Sequence, residues 1–333
     1  MRFHIFLLCT CLIACNAQET PTPSTLEKTV SLGITGDKAD VQVPTSFGVV
    51  LMGGSTDVDE AFRWMIDRAK GGDFVVIRAS GSTGYNNYIK GLGELNSVET
   101  LLIDSRDKAN LKEAAKKIRE AEALFIAGGD QANYVNYWTN TEVSRAIQYL
   151  IEEKNVPIGG TSAGCAVLSG IIFDAKNGSI ISTEALKNPY DSRLSISESF
   201  IQIPYLANTI TDQHYSQRER HGRHVTFMAR MMKDLEIDAR GIGVDERTAV
   251  CLDHLGNATV FGSNKAYFLI NNGHPAESCL PSTPLHWLHN QQAIRVYIFQ
   301  VSTEGTDAFN ITAWPTNTPH QFWYAENGIL KVK

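Results

Sequence analysis

Short apolar runs alternate with amphipathic segments along the first half of the chain. Runs typical of buried strands occupy residues 47–52, 74–79, 98–103, 124–127 and 156–159. Between several of these runs, apolar residues recur at helical spacing, at 59–70, 109–122 and 143–154. Strands that lack a polar face and alternate with helices are typical of a parallel sheet covered on both faces. The pattern therefore predicts an α/β fold with a doubly wound, mostly parallel sheet.

Glycines close most of the predicted strands. Gly53-Gly54 follow the first strand, Gly81 follows the second, and Gly128-Gly129 follow the fourth. In a doubly wound sheet, ligands bind outside the carboxyl ends of the strands. We therefore expect these loops to converge on one crevice, together with the turn that follows the strand at 156–159.

The second half of the chain has a different pattern. Apolar strands at 248–252, 259–261, 266–270 and 294–300 follow one another without helical segments between them. Strands of this kind favour antiparallel pairing. We expect these extra C-terminal strands to form an antiparallel extension or edge of the same domain.

The first residues are typical of an export signal. Arg2 precedes an apolar run at 3–14 that is too short to span a bilayer. The run ends in Leu12-Ile13-Ala14-Cys15, which resembles the bacterial lipobox, where cleavage precedes a diacylated cysteine. We expect a signal peptide at 1–14, lipidation of Cys15 and attachment to the cell envelope by this anchor only, on the periplasmic or the cell-surface face. An ordinary signal peptide, in which Cys15 is incidental, is the alternative.

The residues after the signal are polar and rich in Pro and Thr, as in a flexible tether. We therefore divide the chain into a signal at 1–14, a tether at 15–45 and a single domain at 46–333. A chain of 333 residues can build one large α/β domain. Its formal net charge of −6 argues against nucleic-acid binding, which favours a cationic surface.

Cysteine and histidine spacing gives no sign of a metal site. Beyond the predicted signal and Cys15, the cysteines are Cys165, Cys251 and Cys279, without CxxC spacing, and the histidines are scattered. A Cys251–Cys279 disulfide is conceivable in an exported protein. We expect no metal and no cofactor.

The segment Gly160-Thr161-Ser162-Ala163-Gly164 follows the apolar run at 156–159 and precedes helix-favouring residues. This order is typical of a nucleophile elbow, a sharp turn between strand and helix that exposes the serine hydroxyl. Gly160 and Gly164 fit such a turn because a Cβ at either position would clash with the strand or the helix. Gly-rich turns that bind phosphate are the alternative.

A serine nucleophile needs a base and a carboxylate that orients the base. The segment 211–224 contains three histidines and three arginines, although a solvated helix face would have a similar composition. The segment 241–249 contains Asp245 and Glu246. Adjacent residues of a strand point to opposite faces, so only one of these two carboxylates can point toward a shared site.

Four motifs occur in an order that is specific. They are Phe125-Ile126-Ala127-Gly128-Gly129-Asp130-Gln131, Gly159-Gly160-Thr161-Ser162-Ala163-Gly164, Asp212-Gln213-His214-Tyr215 with the arginines after it, and Gly241-Ile242-Gly243-Val244-Asp245-Glu246. With them the chain resembles the cyanophycinase family of serine peptidases, which also contains aspartyl dipeptidase, from about residue 47 to 310. The resemblance implies a fold of the class I glutamine amidotransferase-like type. It also implies a triad of Ser162 as nucleophile, His214 as general base and Glu246 as the orienting carboxylate.

The resemblance further implies which residues contact the peptide substrate. By motif these are Gln131, Asp212, Gln213, Arg218, Arg220 and Arg223. Cyanophycin has a poly-aspartate backbone with arginine on each β-carboxyl group, so carboxylate-binding arginines and guanidinium-binding acids both suit it. We expect release of β-Asp-Arg dipeptides through an acyl-enzyme. The oxyanion of the tetrahedral intermediate would accept hydrogen bonds from the backbone N–H of Ala163 and of Gly129 or Asp130.

Three alternatives stay open. An aspartyl dipeptidase would act on small Asp-X or isoaspartyl peptides, and a non-catalytic lipoprotein would bind peptides without cleaving them. An α/β-hydrolase would place its histidine after the acid, late in the chain, where His274, His286, His289 and His320 occur without matching context. A homodimer is the default expectation for the assembly.

Overall fold

The computed structural model describes residues 29–301, 304–314 and 318–333. The helices in these ranges are α1 Asp59–Ala69, α2 Gly84–Lys90, α3 Arg106–Ala109, α4 Lys112–Glu120, α5 Gln131–Trp138, α6 Glu142–Glu152, α7 Ala163–Ala166, α8 Ser182–Lys187 and α9 His221–Asp234. The strands are β1 Ser31–Gly36, β2 Gly48–Met52, β3 Asp73–Arg78, β4 Ser97–Leu102, β5 Ala123–Ile126, β6 Pro157–Thr161, β7 Ile171–Phe173, β8 Ile196–Glu198, β9 Thr209–Gln213, β10 Arg240–Val244, β11 Thr248–Asp253, β12 Asn257–Gly262, β13 Lys265–Asn271, β14 Ile294–Gln300, β15 Thr306–Asn310, β16 Gln321–Glu326 and β17 Ile329–Val332.

The first sheet contains the parallel unit that the sequence predicts. Its order is β1-β4-β3-β5-β6-β2-β11-β12-β15, and the five strands from β4 to β2 are parallel. Every residue of β2 and β6 is buried. Successive side chains of β2 point to opposite faces, so Val50 packs with Phe62 of α1 while Val49 packs in the opposite core layer. The α/β fold class is confirmed.

The C-terminal strands pair antiparallel, as expected from the sequence, but they divide between two sheets. Strands β11, β12 and β15 extend the first sheet, whereas β13, β14, β16 and β17 belong to a second sheet. The order of the second sheet is β17-β16-β14-β13-β10-β9-β7-β8, and only its β7–β9 and β9–β10 pairs are parallel. The chain passes between the sheets several times, among other places at the turns 245–247 and 263–264. A strand's own pattern does not identify its neighbour, so the sequence does not reveal this division between two sheets.

The predicted helix at 109–122 corresponds to α4, Lys112–Glu120. A separate short helix, α3, precedes it at Arg106–Ala109. Asn110 lies between the two helices, and both its backbone N–H and its side-chain amide donate to the Arg106 carbonyl, at 3.2 and 3.0 Å.

The predicted tether at 15–45 is wrong for residues 31–36. These residues form β1, which pairs antiparallel with β4 at the edge of the first sheet. The preceding Val30 is fully buried, so this segment packs as part of the domain. The predicted signal peptide and Cys15 lie outside the described residues. Within the described ranges, no helix is long and apolar enough to cross a membrane.

The three cysteines of the domain are free thiols. Cys165, Cys251 and Cys279 are buried and unpaired, so the conceivable disulfide between Cys251 and Cys279 is not formed. Burial raises the pKa of the Cys165 thiol to about 12 and that of the Cys279 thiol to about 11. These thiols are therefore protonated and pack as small apolar groups.

Candidate active site

Ser162 lies in the turn between β6 and α7, as the elbow hypothesis requires. Its backbone has φ 51° and ψ −116°, a conformation that a residue with a side chain rarely adopts. The N–H of Ser162 donates a hydrogen bond to the Met52 carbonyl of β2, 3.1 Å away. The neighbouring strand therefore helps to hold the strained turn, and the hydroxyl lies at the carboxyl ends of the parallel strands.

The two flanking glycines are required by close packing. A Cβ on Gly160 would lie 2.5 Å from the carbonyl carbon of Gly164. A Cβ on Gly164 would overlap the carbonyl oxygen of Ile126 in β5. The turn can thus be this tight only because both positions lack a side chain, as the sequence analysis predicts.

A continuous chain of hydrogen bonds joins three side chains from separate segments. The Oγ of Ser162 lies 2.8 Å from Nε2 of His214. The Nδ1 of the same ring lies 2.7 Å from Oε1 of Glu246. His214 follows β9, and Glu246 lies in the turn between β10 and β11. The geometry is that of a nucleophile, a base and an orienting carboxylate.

The glycine turn after β2 shapes the space around His214. The N–H of His214 donates to the Gly53 carbonyl, 2.8 Å away. At Gly54, where φ is +94°, a Cβ would lie 2.5 Å from Cε1 of His214. The sequence analysis notes this turn only as a loop that converges on the crevice. Its role in accommodating the imidazole ring depends on contacts across the two sheets.

Asp245 and Glu246 have different partners. Glu246 contacts His214, while the buried Asp245 carboxylate accepts the backbone N–H of Ser216 at 2.8 Å and of Lys265 at 3.2 Å. Asp245 therefore ties together the loop after His214 and the start of β13. Of the two carboxylates, the structure brings Glu246 to the serine and histidine.

Burial lowers the pKa of His214 below its ordinary value of about 6.5. The hydrogen bond that His214 donates to Glu246 raises the pKa of His214, and nearby Arg218 and Arg220 lower it further. The imidazole is thus neutral at pH 7. The hydrogen bond with His214 lowers the pKa of Glu246, so its carboxylate is ionised and accepts the Nδ1–H. This tautomer leaves Nε2 free to accept the serine proton.

The predicted oxyanion residues lie on two neighbouring turns. Ala163 begins α7, directly after Ser162, and Asp130 caps α5 by accepting the N–H of Ala132 at 2.9 Å. A Cβ on Gly128 would lie 3.5 Å from the Cβ of Ser162. These two turns therefore face each other at the serine. In the described part of the chain, no acceptor contacts the N–H of Gly129 or Ala163.

A cleft of about 270 Å³ opens beside Ser162. It is lined by Gly129, Asp130, Gln131, Ser162, Phe173, Ala175, Gly178, Ser179, Gln213, His214, Arg218, Arg220 and Arg223. Most of the predicted substrate residues lie here. The sequence analysis missed the wall at 173–179, because that segment carries no motif. Gly81 packs against Arg78 and is not among the lining residues, contrary to the expectation for the strand-end glycines.

Asp212 does not line the cleft, contrary to its predicted contact with substrate. Its carboxylate receives the guanidinium of Arg223 at 2.6 and 2.7 Å and that of Arg220 at 3.0 Å. Burial raises the pKa of Asp212, but Arg223 and Arg220 outweigh it and lower the value to about 2. Asp212 is 1% exposed and Arg223 is 2% exposed. We therefore assign these two residues to an internal ion pair.

Arg223 also fastens the wall of the cleft. Its Nη1 donates to the Ile180 carbonyl at 3.2 Å, and its guanidinium lies 5.0 Å from the ring centre of Phe173. With these contacts and Asp212, the guanidinium is occupied by protein groups. Arg223 touches the cleft but is not free to bind a ligand.

Arg220 lines the cleft but is paired with Asp212, whereas Arg218, Gln213 and Gln131 are available to a ligand. Arg218 is exposed, and no described carboxylate forms an ion pair with it. Gln213 is buried, and within the described ranges its Oε1 has no hydrogen-bond partner. Gln131 spans the cleft and donates to the Phe173 carbonyl at 3.4 Å. Together they offer a cation, an acceptor and an amide beside Ser162.

The late histidines do not line the cleft. His274 stacks on His289 with ring centres 3.9 Å apart, and His286 accepts the N–H of Asn327 at 3.4 Å. His320 contacts the ring of Phe322. The α/β-hydrolase order of residues therefore finds no support in the geometry. Over the described residues, no group of three His, Cys, Asp or Glu side chains could hold a metal ion.

The chain is similar to known peptidases. Residues 50–257 match the model of Peptidase family S51. The chain is 26% identical over 178 residues to a cyanophycinase from Synechococcus elongatus, covering 54% of this chain and 50% of that protein. It is 28% identical over 177 residues to a cyanophycinase from Trichormus variabilis, covering 53% and 54%. The chain spans about half the length of the curated relatives it matches.

A solved structure shares the fold. The crystal structure of a peptidase from an acI-B1 Actinobacterium superposes with a TM-score of 0.50 at 20% identity. The match covers 68% of this chain and 91% of that one. The similarity extends across most of that peptidase and concerns the fold alone.

Proposed function

The chain belongs to peptidase family S51, and we propose that it hydrolyses cyanophycin or related aspartyl peptides with Ser162, His214 and Glu246. It is a serine-type peptidase of the cyanophycinase-like kind. The observation that supports the residue assignment is the hydrogen-bond chain from Ser162 through His214 to Glu246, at 2.8 and 2.7 Å.

In the proposed mechanism, Ser162 Oγ attacks the scissile amide carbonyl while His214 Nε2 accepts its proton. Backbone N–H groups of Ala163 and of Gly129 or Asp130 stabilise the oxyanion of the tetrahedral intermediate. His214 then protonates the leaving amine and an acyl-enzyme remains. Water, deprotonated by His214, hydrolyses the ester and restores Ser162. Glu246 keeps the imidazole oriented and stabilises its protonated form during both steps.

The charges of the cleft suit a substrate that carries both carboxylate and guanidinium groups. Arg218 lies in the cleft without an acidic partner among the described residues and can bind a carboxylate. Asp212 is engaged with its own arginines, so Asp130 is the carboxylate that lines the cleft and can bind a substrate guanidinium. The Gln213 Oε1 can accept a substrate N–H. A β-Asp-Arg unit carries all three kinds of group.

A small aspartyl peptide is the second candidate substrate. The cleft volume of about 270 Å³ lies below the roughly 300–1,000 Å³ of pockets for drug-sized ligands. A volume of this size suits one or two residues. It is therefore compatible with release of dipeptides from a polymer end and with cleavage of a free aspartyl dipeptide.

The experiment compares products from polymer and dipeptide. The purified protein, Ser162→Ala and the control Ser192→Ala, at an exposed position, are incubated with cyanophycin and with α- and β-aspartyl dipeptides. Mass spectrometry identifies the products. We expect release of β-Asp-Arg by the wild type and the control only. Turnover that survives in Ser162→Ala would refute the serine mechanism. Binding of cyanophycin without turnover by the wild type would favour the non-catalytic alternative.

Export and lipidation are a separate part of the proposal. The sequence Leu12-Ile13-Ala14-Cys15 supports cleavage before Cys15 and acylation of that cysteine. In a bacterial host fed a labelled fatty acid, the wild type should carry the label and sediment with membranes. Cys15→Ala should lose both properties. Labelling of the Cys15→Ala variant would exclude Cys15 as the acylated residue.

A further inference from the structure

Two side-chain amides hold the backbone of Glu246 from opposite sides. The Oε1 of Gln217 accepts the N–H of Glu246 at 2.9 Å, and Nδ2 of Asn264 donates to its carbonyl at 2.8 Å. We propose that Gln217 and Asn264 are positioning residues that fix the Glu246 carboxylate against His214. This inference rests on the proposed triad, because it assigns both amides to the placement of its acid.

Gln217 links Glu246 to the turn that carries His214. It lies three residues after His214, and the N–H of Arg218 donates to the His214 carbonyl at 3.0 Å, which closes this turn. The turn therefore contacts Glu246 twice, through the imidazole on its carboxylate and through Gln217 on its backbone. A shift of Glu246 relative to His214 would break both contacts.

Asn264 links Glu246 to another turn where the chain crosses between the sheets. It lies in the turn between β12 and β13, and its backbone N–H donates to the Thr248 hydroxyl at 3.1 Å. The Thr248 hydroxyl in turn lies 3.3 Å from the Glu246 carbonyl. Asn264 is half-buried, so its amide is shielded in part from water. The turns 245–247 and 263–264 are thereby joined at the residue that carries the proposed acid.

The turn has its own anchors apart from these amides. Asp245 accepts the N–H of Ser216 and of Lys265, and the N–H of Arg247 donates to the Gly54 carbonyl at 3.0 Å. These contacts retain the path of the chain when either amide is removed. Gln217 and Asn264 instead set the two peptide planes of Glu246, and with them the direction of its side chain.

Displacement of Glu246 has a specific consequence for titration. The charged groups that act on His214 are Glu246, Arg218 and Arg220, and Glu246 is the one that raises its pKa. Loss of the Glu246 contact leaves burial and two cations, all of which lower the pKa of His214. In the pH profile of a reaction that needs neutral His214, the rate falls at acidic pH as the ring is protonated. This acidic limb of the profile should then move to lower pH. A merely structural change reduces the folded fraction and leaves the limb where it is.

The test uses reaction of Ser162 with a fluorophosphonate probe from pH 4 to 9, which needs no knowledge of the substrate. Gln217→Met and Asn264→Leu remove the hydrogen bonds without changing charge. We expect the labelling rate at pH 7 to fall by about 10- to 100-fold, since small misplacements cost this much, and the acidic limb to move to lower pH. Gln217→Glu keeps an accepting oxygen and should recover much of the rate. Gln300→Met, which removes an exposed amide that donates to the Asn264 carbonyl at 3.3 Å, is the control and should match the wild type.

The outcomes separate this inference from the proposed function. Equal labelling of Ser162→Ala and the wild type would refute the triad itself. Labelling that requires Ser162 but is unchanged in Gln217→Met and Asn264→Leu would overturn the positioning role alone. A fall in the labelling rate by the same factor at every pH, with the acidic limb unchanged, would also overturn it, because a loss of folded protein has this effect. If Asn264→Leu does not fold, the exposed Gln217→Met decides the question.

Discussion

The hydroxyl of Ser162 lies 2.8 Å from Nε2 of His214, across the junction of the two sheets. Ser162 follows β6 of the first sheet, and His214 follows β9 of the second. Fifty-two positions of sequence separate them. The site thus depends on how the two sheets pack, in addition to the local shape of the elbow. Glu246 lies where the chain crosses between the sheets, so it too depends on this packing.

Glu246→Gln and Asp245→Asn should separate catalysis from stability. Glu246→Gln leaves His214 without a carboxylate, so we expect kcat to fall by about 10³- to 10⁴-fold with the fold intact. Asp245→Asn replaces an acceptor of two backbone N–H groups and should lower the free energy of unfolding by about 1–3 kcal/mol. Peptidase assays and urea unfolding of both variants measure this. If Asp245→Asn lost more kcat than Glu246→Gln, the orienting carboxylate would be Asp245 and the assignment of Glu246 would be wrong.

The pH profile of the wild type should have its acidic limb below about pH 6.5. Burial lowers the pKa of His214, and the reaction needs this ring neutral. Activity is therefore expected to persist at mildly acidic pH and to fall as the pH drops through the lowered pKa. Measurement of kcat/KM from pH 4 to 9 locates the acidic limb. A limb above pH 6.5 would mean that Glu246 outweighs the effect of burial.

Gly54→Ala should inactivate the enzyme, and Gly71→Ala should not. Both glycines have positive φ, +94° and +82°, so alanine strains each backbone by about 1–3 kcal/mol. Only at Gly54 does the added Cβ meet a neighbour, Cε1 of His214 at 2.5 Å, while at Gly71 it meets nothing within 4 Å. The two variants therefore share the backbone strain, and only Gly54→Ala adds a contact with His214. Similar probe labelling of Ser162 in both variants would contradict the predicted displacement of the ring.

Arg218→Ala should change substrate binding, and Arg223→Ala should change stability. Arg218 is exposed in the cleft, so its loss should raise KM for an acidic substrate with little change in stability. Loss of Arg223 leaves the buried Asp212 with Arg220 alone and should lower the free energy of unfolding by about 3 kcal/mol. Kinetics and urea unfolding of both variants provide the test. A stable Arg223→Ala variant with raised KM would restore the substrate-binding role that its motif implies.

His224 should make the stability of the protein depend on pH. Burial lowers the pKa of His224 to about 4 in the folded state, against about 6.5 in the unfolded state. The unfolded state therefore binds a proton first, and stability is full above about pH 6.5 and falls toward pH 4. The total loss from this one group is about 3 kcal/mol. Urea unfolding at pH 7, 6 and 5 measures it.

The matched variant for this effect is His224→Gln. It removes the titrating group and should show a smaller loss of stability between pH 7 and 5 than the wild type, because its neutral amide does not protonate. The wild-type ring is held by the Tyr215 hydroxyl at 3.1 Å and the Ile210 carbonyl at 3.2 Å, so the variant should also be less stable at pH 7. Equal losses in both proteins would assign the pH dependence to other groups, such as His214 and His221.

The sequence by itself determined the features that arise from short-range sterics. Buried strands such as β2 and β6 follow from continuous apolar runs, and the elbow at Ser162 follows from flanking glycines that leave room for a sharp turn. The resemblance carried by the four motifs also implied His214 and Glu246 as the partners of Ser162. The signals for the strands and for the elbow lie within a few neighbouring residues, which a single sequence displays directly.

Only the tertiary structure decided which strands pair and which charged groups meet. Strands β12 and β13 follow each other along the chain with only a short turn between them, yet they lie in different sheets, because pairing depends on contacts distant in sequence. Asp212 and Arg223 lie in a motif that implies substrate contact. In the folded protein both are buried side by side, and they form an ion pair with each other. Asn264 belongs to none of the sequence motifs. Its contact with Glu246 arises because two turns meet where the chain crosses between the sheets.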